Sequence, residues 1–260
     1  MIIINDCSLT PNPANINSAV SAKVGVTEFP DVLSQASWAQ IAQASELGIA
    51  SSLWSVGDEK TIYLAPEDGG LPEKPDDTNT LTLVIMGFNH DDKADGSGKA
   101  GITFGTKNLM ATTRAMNSSN TNSGGFTGSA MYTYLQNTLF SQFATDLQSA
   151  IKPVLKKTSA GGRNTTINTN EMKIFLFSEI EVFGSTTYSA AGEGSQYSYF
   201  VTAANRIKYR ANGSGKANGW WERSPNASDS TSFCGVHSTG SANRYASTFA
   251  SRGVCFGFCV

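Results

Sequence analysis

The sequence predicts an α+β fold with two main helices, short antiparallel strands and long irregular segments, plus a small N-terminal β element. Three observations carry this. Apolar residues recur at helical spacing in two places, around Trp38 and from Met131 to Ile151. Apolar runs of strand length are scattered along the chain instead of alternating with helices. The last roughly 60 residues are dominated by Ser, Gly, Asn, Ala and aromatics, and return to a strand pattern only at the end.

Residues 1–30 make the N-terminal element. Ile2 to Ile4 is a β-branched run, Thr10-Pro11-Asn12-Pro13 is a turn, and Val20, Ala22, Val24 and Val26 alternate with polar or small residues. Two strands alone bury too little surface to be stable, so this element is expected to pack on the body or another subunit. Residues 31–260 form the second domain. Ser37 followed by Gln40 is a capping box and starts a helix over 38–47, with Gly48 just past its end. Leu53 to Val56 and Thr61 to Ala65, joined by Gly57-Asp58-Glu59-Lys60, read as a hairpin, and Pro66 to Asn79 as a loop. Leu81 to Phe88 is apolar on both faces and predicts a buried central strand.

Met131, Leu135, Leu139, Phe143, Leu147 and Ile151 recur every four residues and predict the longest helix, which Pro153 limits. Thr158 to Asn170 reads as a polar loop, Lys173 to Phe177 as a strand and Ser178 to Glu181 as a helical turn. Gly253 to Val260 closes the chain as a strand, with Val254, Phe256, Phe258 and Val260 facing one way and Cys255, Gly257 and Cys259 the other.

Nineteen Lys and Arg against 21 Asp and Glu leave a formal charge of −2. That provides no basic field for phosphates, so no nucleic-acid partner is expected. No apolar run approaches the roughly 18 residues that cross a bilayer, so no membrane insertion is expected. The first residues lack a cationic segment and a small-residue cleavage site, which predicts no signal peptide and synthesis in the cytoplasm. Four cysteines, at 7, 234, 255 and 259, are too few and too unevenly placed for a disulfide framework.

Candidate chemistry is sparse. Asn89-His90-Asp91-Asp92 with Asp95 gathers oxygen donors near an imidazole, but calcium-loop spacing is absent and a polar turn is expected. Cys234, His237, Cys255 and Cys259 resemble a zinc quartet only superficially. Residues four apart on one strand sit roughly 13 Å from each other, so free thiols are expected, with no metal and no cofactor. Neither His90 nor His237 adjoins a Gly-x-Ser-x-Gly elbow. Glu179 and Glu181 read as a solvated helix start, and Gly192-Glu193-Gly194-Ser195 as a plain turn. No catalytic residue is assigned and the chain is read as not an enzyme.

The tail is more informative. From Glu222 to Arg252, Ser, Thr and Asn fill 13 of 31 positions, interspersed with Phe233, His237, Arg244, Tyr245 and Phe249. Adaptable hydrogen bonding combined with low-entropy aromatic area is the chemistry of a paratope. From Ser224 to Val260 there is no Lys, Glu, Gln, Met or Trp. No codon ending in a pyrimidine specifies those five, as expected of a tail whose Asn-type codons have had their adenines randomised.

Trp220-Trp221-x-Arg223-Ser224-Pro225, then Phe233, Val236, Gly240 and the closing Gly253-Val254-x-x-x-Phe258-x-Val260, resemble an uncharacterised domain common in gut bacteria and their prophages. So do Met86 to Asp91, Ile151-Lys152-Pro153-Val154-x-Lys156 and Phe175 to Gly184, so the resemblance covers most of residues 36–260. Leu9 to Pro13 is similar to tail-type structural proteins of prophages. The domain is in turn similar to the variable proteins of diversity-generating retroelements, whose C-type lectin-like fold is related to that of formylglycine-generating enzymes. The usual ending Gly-Val-Arg-Pro-Ala-Phe is altered here, with Cys255, Phe256 and Gly257 in the central three places. The calcium–sugar motifs of true C-type lectins are absent.

What the resemblance implies is a rigid scaffold of Trp220, Trp221, Arg223, Phe233, Val254, Phe256 and Phe258 under a variable region spanning 222–252. The ligand-binding positions would be Asn226, Ser228, Asp229, Ser230, Thr231, Ser232, His237, Ser238, Thr239, Ser241, Asn243, Arg244, Tyr245, Ser247, Thr248 and Phe249. The implied role is non-enzymatic binding on a phage tail, to a protein or cell-surface ligand on a bacterial host. Other tail subunits and a homo-oligomeric assembly are the further partners expected. A formylglycine-generating-like oxidase and a static structural virion protein are the alternatives.

Overall fold

The computed structural model describes residues 28–66, 79–211 and 215–260. The expected N-terminal element and most of the 66–79 loop lie outside the described residues. In chain order the elements are α1 (Trp38–Glu46), α2 (Ala50–Leu53), β1 (Glu59–Tyr63), β2 (Thr80–Phe88), β3 (Ile102–Thr106) and α3 (Ala130–Thr133). A π-helical stretch, Tyr134–Leu139, continues α3 and is followed by α4 (Thr145–Ala150), β4 (Val154–Gly161), β5 (Asn164–Met172), β6 (Ile174–Leu176), α5 (Glu179–Phe183) and α6 (Ser198–Val201). The remaining strands are β7 (Lys208–Tyr209), β8 (Ala217–Asn218), β9 (Trp220–Pro225), β10 (Ser232–Val236), β11 (Ala242–Ala246) and β12 (Phe256–Cys259). The protein is thus mixed α and β with small antiparallel sheets. Among the described residues, no helix is long and apolar enough to cross a membrane.

The largest sheet has the order β1-β2-β3-β12-β6, with every pairing antiparallel. The closing strand β12 is therefore an inner strand, which explains why Phe256 to Cys259 are all buried instead of alternating between core and solvent. Phe258 stacks on Phe104 with ring centroids 5.6 Å apart and meets Trp38 of α1 edge-on at 6.1 Å. On the opposite face Gly257 pairs with Gly105, and together they leave a slot for Phe177. A Cβ at Gly257 would come within 2.8 Å of Phe177 Cζ and 2.9 Å of the Phe104 carbonyl.

Helix α1 starts where the sequence places it. Ser37 Oγ accepts from Gln40 N at 3.2 Å, and Ser37 N donates to Gln40 Oε1 at 2.8 Å. The 53–56 strand does not form. Leu53 ends α2, and the chain turns at Gly57 with φ +95°, so β1 pairs with the longer and more apolar β2.

The long helix over 131–151 is interrupted twice. A four-residue period drifts about 40° per step on a 3.6-residue helix, so one straight helix cannot aim all six apolar residues at the core. The wider winding of Tyr134–Leu139 buries Leu135 and Leu139, and an extended Ala144 re-aims the chain before α4 buries Leu147. The expected 158–170 loop is instead the β4–β5 hairpin. It turns through Gly161, Gly162 and Arg163, all at positive φ, and β5 is polar because most of its side chains face solvent.

Replacing Gly257 with Ala should cost about 1–3 kcal/mol through overpacking against Phe177 and the Phe104 carbonyl. The measurement is the urea midpoint at unchanged m-value; an unshifted midpoint would contradict the slot.

Candidate ligand-binding face

β9, β10 and β11 form a three-stranded antiparallel sheet in which β11 is an edge. All seven expected scaffold residues are fully buried. Trp220, Trp221, Arg223 and Phe233 lie on β9 and β10, and Val254 just after the bridge from Gly253 to Trp220, whereas Phe256 and Phe258 lie on β12 in the large sheet, packed with Phe143. Trp220 Nε1 donates to Arg206 O and Trp221 Nε1 to Arg114 O, so neither indole leaves a polar atom stranded. Tyr245 crosses β10 at Gly235, where the missing side chain makes room for its ring, and meets Trp221 edge-on at 5.7 Å. Its hydroxyl donates to Val236 O at 3.1 Å. Arg252 covers the Tyr245 ring at 4.3 Å and the Phe249 ring at 4.7 Å, and Phe249 remains 45% exposed.

Arg244, the neighbour of Tyr245, points to the other side of the strand. There its guanidinium lies 5.0 Å above the Tyr188 ring and 4.0 Å from Asp229. The expected binding positions therefore wrap round the edge strand β11 instead of forming one flat patch. Ser228, Thr239, Ser241, Arg244, Thr248 and Phe249 are exposed; Asp229, Ser230, Thr231, Ser232, His237, Ser238, Asn243 and Tyr245 are half-buried.

Asn226 and Ser247 are fully buried, and both hold backbone in place. Asn226 Oδ1 accepts from Ser228 N and Oγ, its amide donates to Asp229 Oδ2, and Ser247 Oγ donates to Thr231 O. Asp229 Oδ1 accepts from Thr231 N, Thr231 Oγ1 and Ser232 N, which holds its carboxyl below the ordinary value although burial opposes this. The Asn122 amide reaches in from outside the tail to the carbonyls of Asn226, Asp229 and Ser232. At the sheet's other end, His237 Nδ1 lies 2.9 Å from Thr239 Oγ1 in a turn closed by Gly240 N donating to His237 O. Tyr188 and Asn122 carried no sequence signal, because both lie outside the tail.

Beneath the sheet lies a buried ionic chain. Arg223 uses all five of its donors: Nε to Lys157 O, Nη1 to Leu176 O and Glu181 Oε2, and Nη2 to Glu181 Oε1 and Glu193 O. Lys156 donates to Asp91 Oδ1 at 2.6 Å and to the Tyr197 hydroxyl at 2.9 Å, and its ammonium forms an ion pair with Glu181 Oε1 at 2.7 Å. Burial alone would raise Asp91, but the adjacent Lys156 ammonium and His90 hold it well below the usual carboxylate range. Burial is likewise outweighed at Glu181 by Arg223 and then Lys156, so its carboxyl is also lowered. Glu179 and Glu181 are thus buried members of the site, not a solvated helix start. Glu181 closes a capping box on Ser178, and Glu179 accepts from the amides of Thr187, Tyr188 and Ser189.

The match to known families decides the chain's relationship. A family model described as a domain of unknown function (DUF6273) covers residues 101–260. The chain belongs to the DUF6273 family. No curated protein and no solved structure matches it. The DUF6273 region includes the whole β9–β11 sheet and three of the four charged partners, Lys156, Glu181 and Arg223; the fourth, Asp91, lies upstream, three residues past the end of β2.

Asp91 also borders a polar cleft of about 370 Å³ lined by His90, Asp92, Lys99, Lys157, Glu193 and Ser195. His90 Nε2 lies 3.2 Å from Ser195 Oγ and Nδ1 lies 3.5 Å from Asp91 Oδ1, the order of a nucleophilic triad. The chemistry does not follow. Asp91 is occupied by Lys156, Thr103, Tyr197 and Cys259, and His90 Nε2 is shared with Ser195's own carbonyl at 3.1 Å. This contact pins the 192–195 segment, which is more than a plain turn: buried Glu193 accepts from Ser159 N at 2.6 Å and from the Ser224 hydroxyl. Cys234, Cys255 and Cys259 are buried free thiols.

Lys156→Met would strand Asp91 and unbalance Glu181, at a cost of about 3–5 kcal/mol near pH 7. Both carboxyls are depressed in the folded state, so the stability they supply is complete above about pH 4 and is lost as pH falls through their folded values. Urea midpoints of the two proteins should therefore stay apart down to about pH 4 and converge as pH falls below it; a pH-independent gap would contradict the ionic origin.

Proposed function

We propose that this DUF6273 protein is a non-enzymatic receptor-binding protein built on a C-type lectin-like domain. It acts at a phage or prophage tail, and its C-terminal face is varied by a retroelement. The ligand class is a protein or cell-surface structure on a bacterial host. The observation that supports this reading is the division within the tail. Polar and aromatic side chains lie exposed on turns and an edge strand, while the residues that fix the backbone are buried below them. Such a face can change its chemistry without repacking the core. The absence of Lys, Glu, Gln, Met and Trp after Arg223 supports variation written at adenines.

The Arg244→Ala/Phe249→Ala double variant should lose adhesion to host cells at least tenfold while its unfolding free energy changes by no more than about 0.5 kcal/mol, as for ordinary surface sites. Trp221→Ala, by contrast, should cost about 3–5 kcal/mol. Retained adhesion in a folded double variant would favour a static virion component. Sequencing the locus separates the second part of the proposal: a reverse transcriptase beside a template repeat that differs from this tail only at adenines is expected.

A further inference from the structure

We propose that Glu179, Glu222 and Cys234 form a buried site for a divalent cation of the zinc class. One ligand atom from each residue, a carboxylate oxygen from either glutamate and the Cys234 sulfur, lies within 4.8 Å of the other two, and all three residues are buried. Glu222 supplies the second, independent observation. It is fully buried, and neither carboxylate oxygen has a hydrogen-bond partner among the described residues. Buried polar groups in folded proteins are almost always satisfied, and a stranded carboxyl is among the most costly exceptions.

The nearby cations cannot serve Glu222. Arg223, its chain neighbour, has all five donors engaged elsewhere, and Lys156 is held by Asp91, Tyr197 and Glu181. The Ser224 hydroxyl is given to Glu193. What faces Glu222 instead is another carboxylate and a thiol. Glu179 is held by amides mainly through Oε2, whereas Oε1 accepts one amide at 3.1 Å and keeps lone pairs free. An external cation satisfies all three groups at once.

The donor set selects its class. A thiolate with two carboxylates suits zinc, whereas calcium and magnesium take six or more oxygens, water included. A tetrahedral zinc with ordinary bond lengths places its ligands roughly 3.3 to 3.6 Å apart. A contraction of about an ångström by rotation of three side chains closes the observed spacing. Three protein donors leave one tetrahedral position for a backbone carbonyl or water.

The location gives the ion a structural role. Glu179 opens α5, Glu222 lies on β9 and Cys234 on β10 at the bulge where the β9–β10 register shifts. Glu179 also holds the 187–189 segment, where Tyr188 O accepts from Ala227 N and the Tyr188 ring lies under Arg244. A bound ion would fasten the 226–232 loop to the core from below. It does so whatever the outer face binds.

The test uses the full chain, stripped of metal and titrated with Zn²⁺ against a chromophoric chelator, then with Co²⁺ as a spectroscopic probe. Expected are one Zn²⁺ per chain with a dissociation constant of ~1 μM or tighter, a thiolate-to-cobalt charge-transfer band, and a higher melting temperature with Zn²⁺. Cys234→Ser should abolish the band. Glu222→Gln, close to isosteric, should weaken Zn²⁺ at least tenfold and remove the thermal shift. Cys7→Ser, Cys255→Ser and Cys259→Ser should leave all three readouts unchanged. Absence of saturable Zn²⁺ binding by the wild-type chain, or a cobalt complex without a thiolate band, overturns the proposal. So does undiminished affinity in Glu222→Gln. Should Cys234→Ser fail to fold, the wild-type cobalt spectrum and the Glu222→Gln titration still decide.

Discussion

Four charges in alternation, Asp91, Lys156, Glu181 and Arg223, link the large sheet to the three-stranded β9–β11 sheet. Asp91 follows β2 of the large sheet, Lys156 sits on β4, Glu181 in α5 and Arg223 on β9 of the three-stranded sheet. Each of the four charges carries a desolvation cost on burial, offset by neighbours of opposite sign and, at Arg223, by partners for all five donors. Hydrophobic residues of equal volume would cost less to bury. A ladder of fixed donor geometry, however, tolerates only one placement of β9 against β4, α5 and β6, whereas apolar surfaces can slide. The chain of ion pairs thus ties β9 of the three-stranded sheet to β4, α5 and β6 through Arg223.

How much of this was legible depends on the range of the interaction involved. The start of α1 is local: Ser37 and Gln40 satisfy each other's backbone within one turn, and the sequence shows it directly. β2 is nearly as plain, because an unbroken apolar run fits a strand covered on both faces. The long helix misled because its apolar period was four, and a straight α-helix cannot honour that period. The structure answers with a π segment and a break. The β4–β5 hairpin was hidden by its own polarity. Thr and Asn read as loop residues unless Gly161-Gly162 is given weight as a turn between two solvent-facing strands.

The site was legible in its chemistry but not in its wiring. The Ser, Thr, Asn and Tyr of the tail read as surface residues, and most of them are at least partly exposed. Asn226 and Ser247 look identical in composition to their neighbours, yet both are buried. What separates them is contact with groups far along the chain, Thr231 for Ser247 and, through the loop that Asn226 organises, Asn122. Glu179 and Glu181 were misread for the same reason. An isolated helix start with two carboxylates should face water, and only Arg223, Lys156 and the 187–189 amides, none of them adjacent, turn both inward.

This wiring limits which side chains can be replaced without reshaping the 226–232 loop. Asp229 fixes the 229–232 turn through three hydrogen bonds from Thr231 and Ser232, and Asn226 ties it to Ser228. An aspartate or asparagine satisfies such a turn because its short side chain reaches the backbone two residues on. A tyrosine or phenylalanine at either position could not, and the loop would lose its shape before it gained a new contact. The exposed residues carry lighter duties: Ser228 Oγ donates to Asn226 Oδ1, Thr239 Oγ1 meets His237 Nδ1 and Ser241 Oγ, and Arg244 reaches the Tyr188 ring and Asp229. Tolerance to substitution in these turns should therefore follow hydrogen-bond obligation rather than exposure alone. The residues freest to change are those whose polar atoms the backbone does not already require.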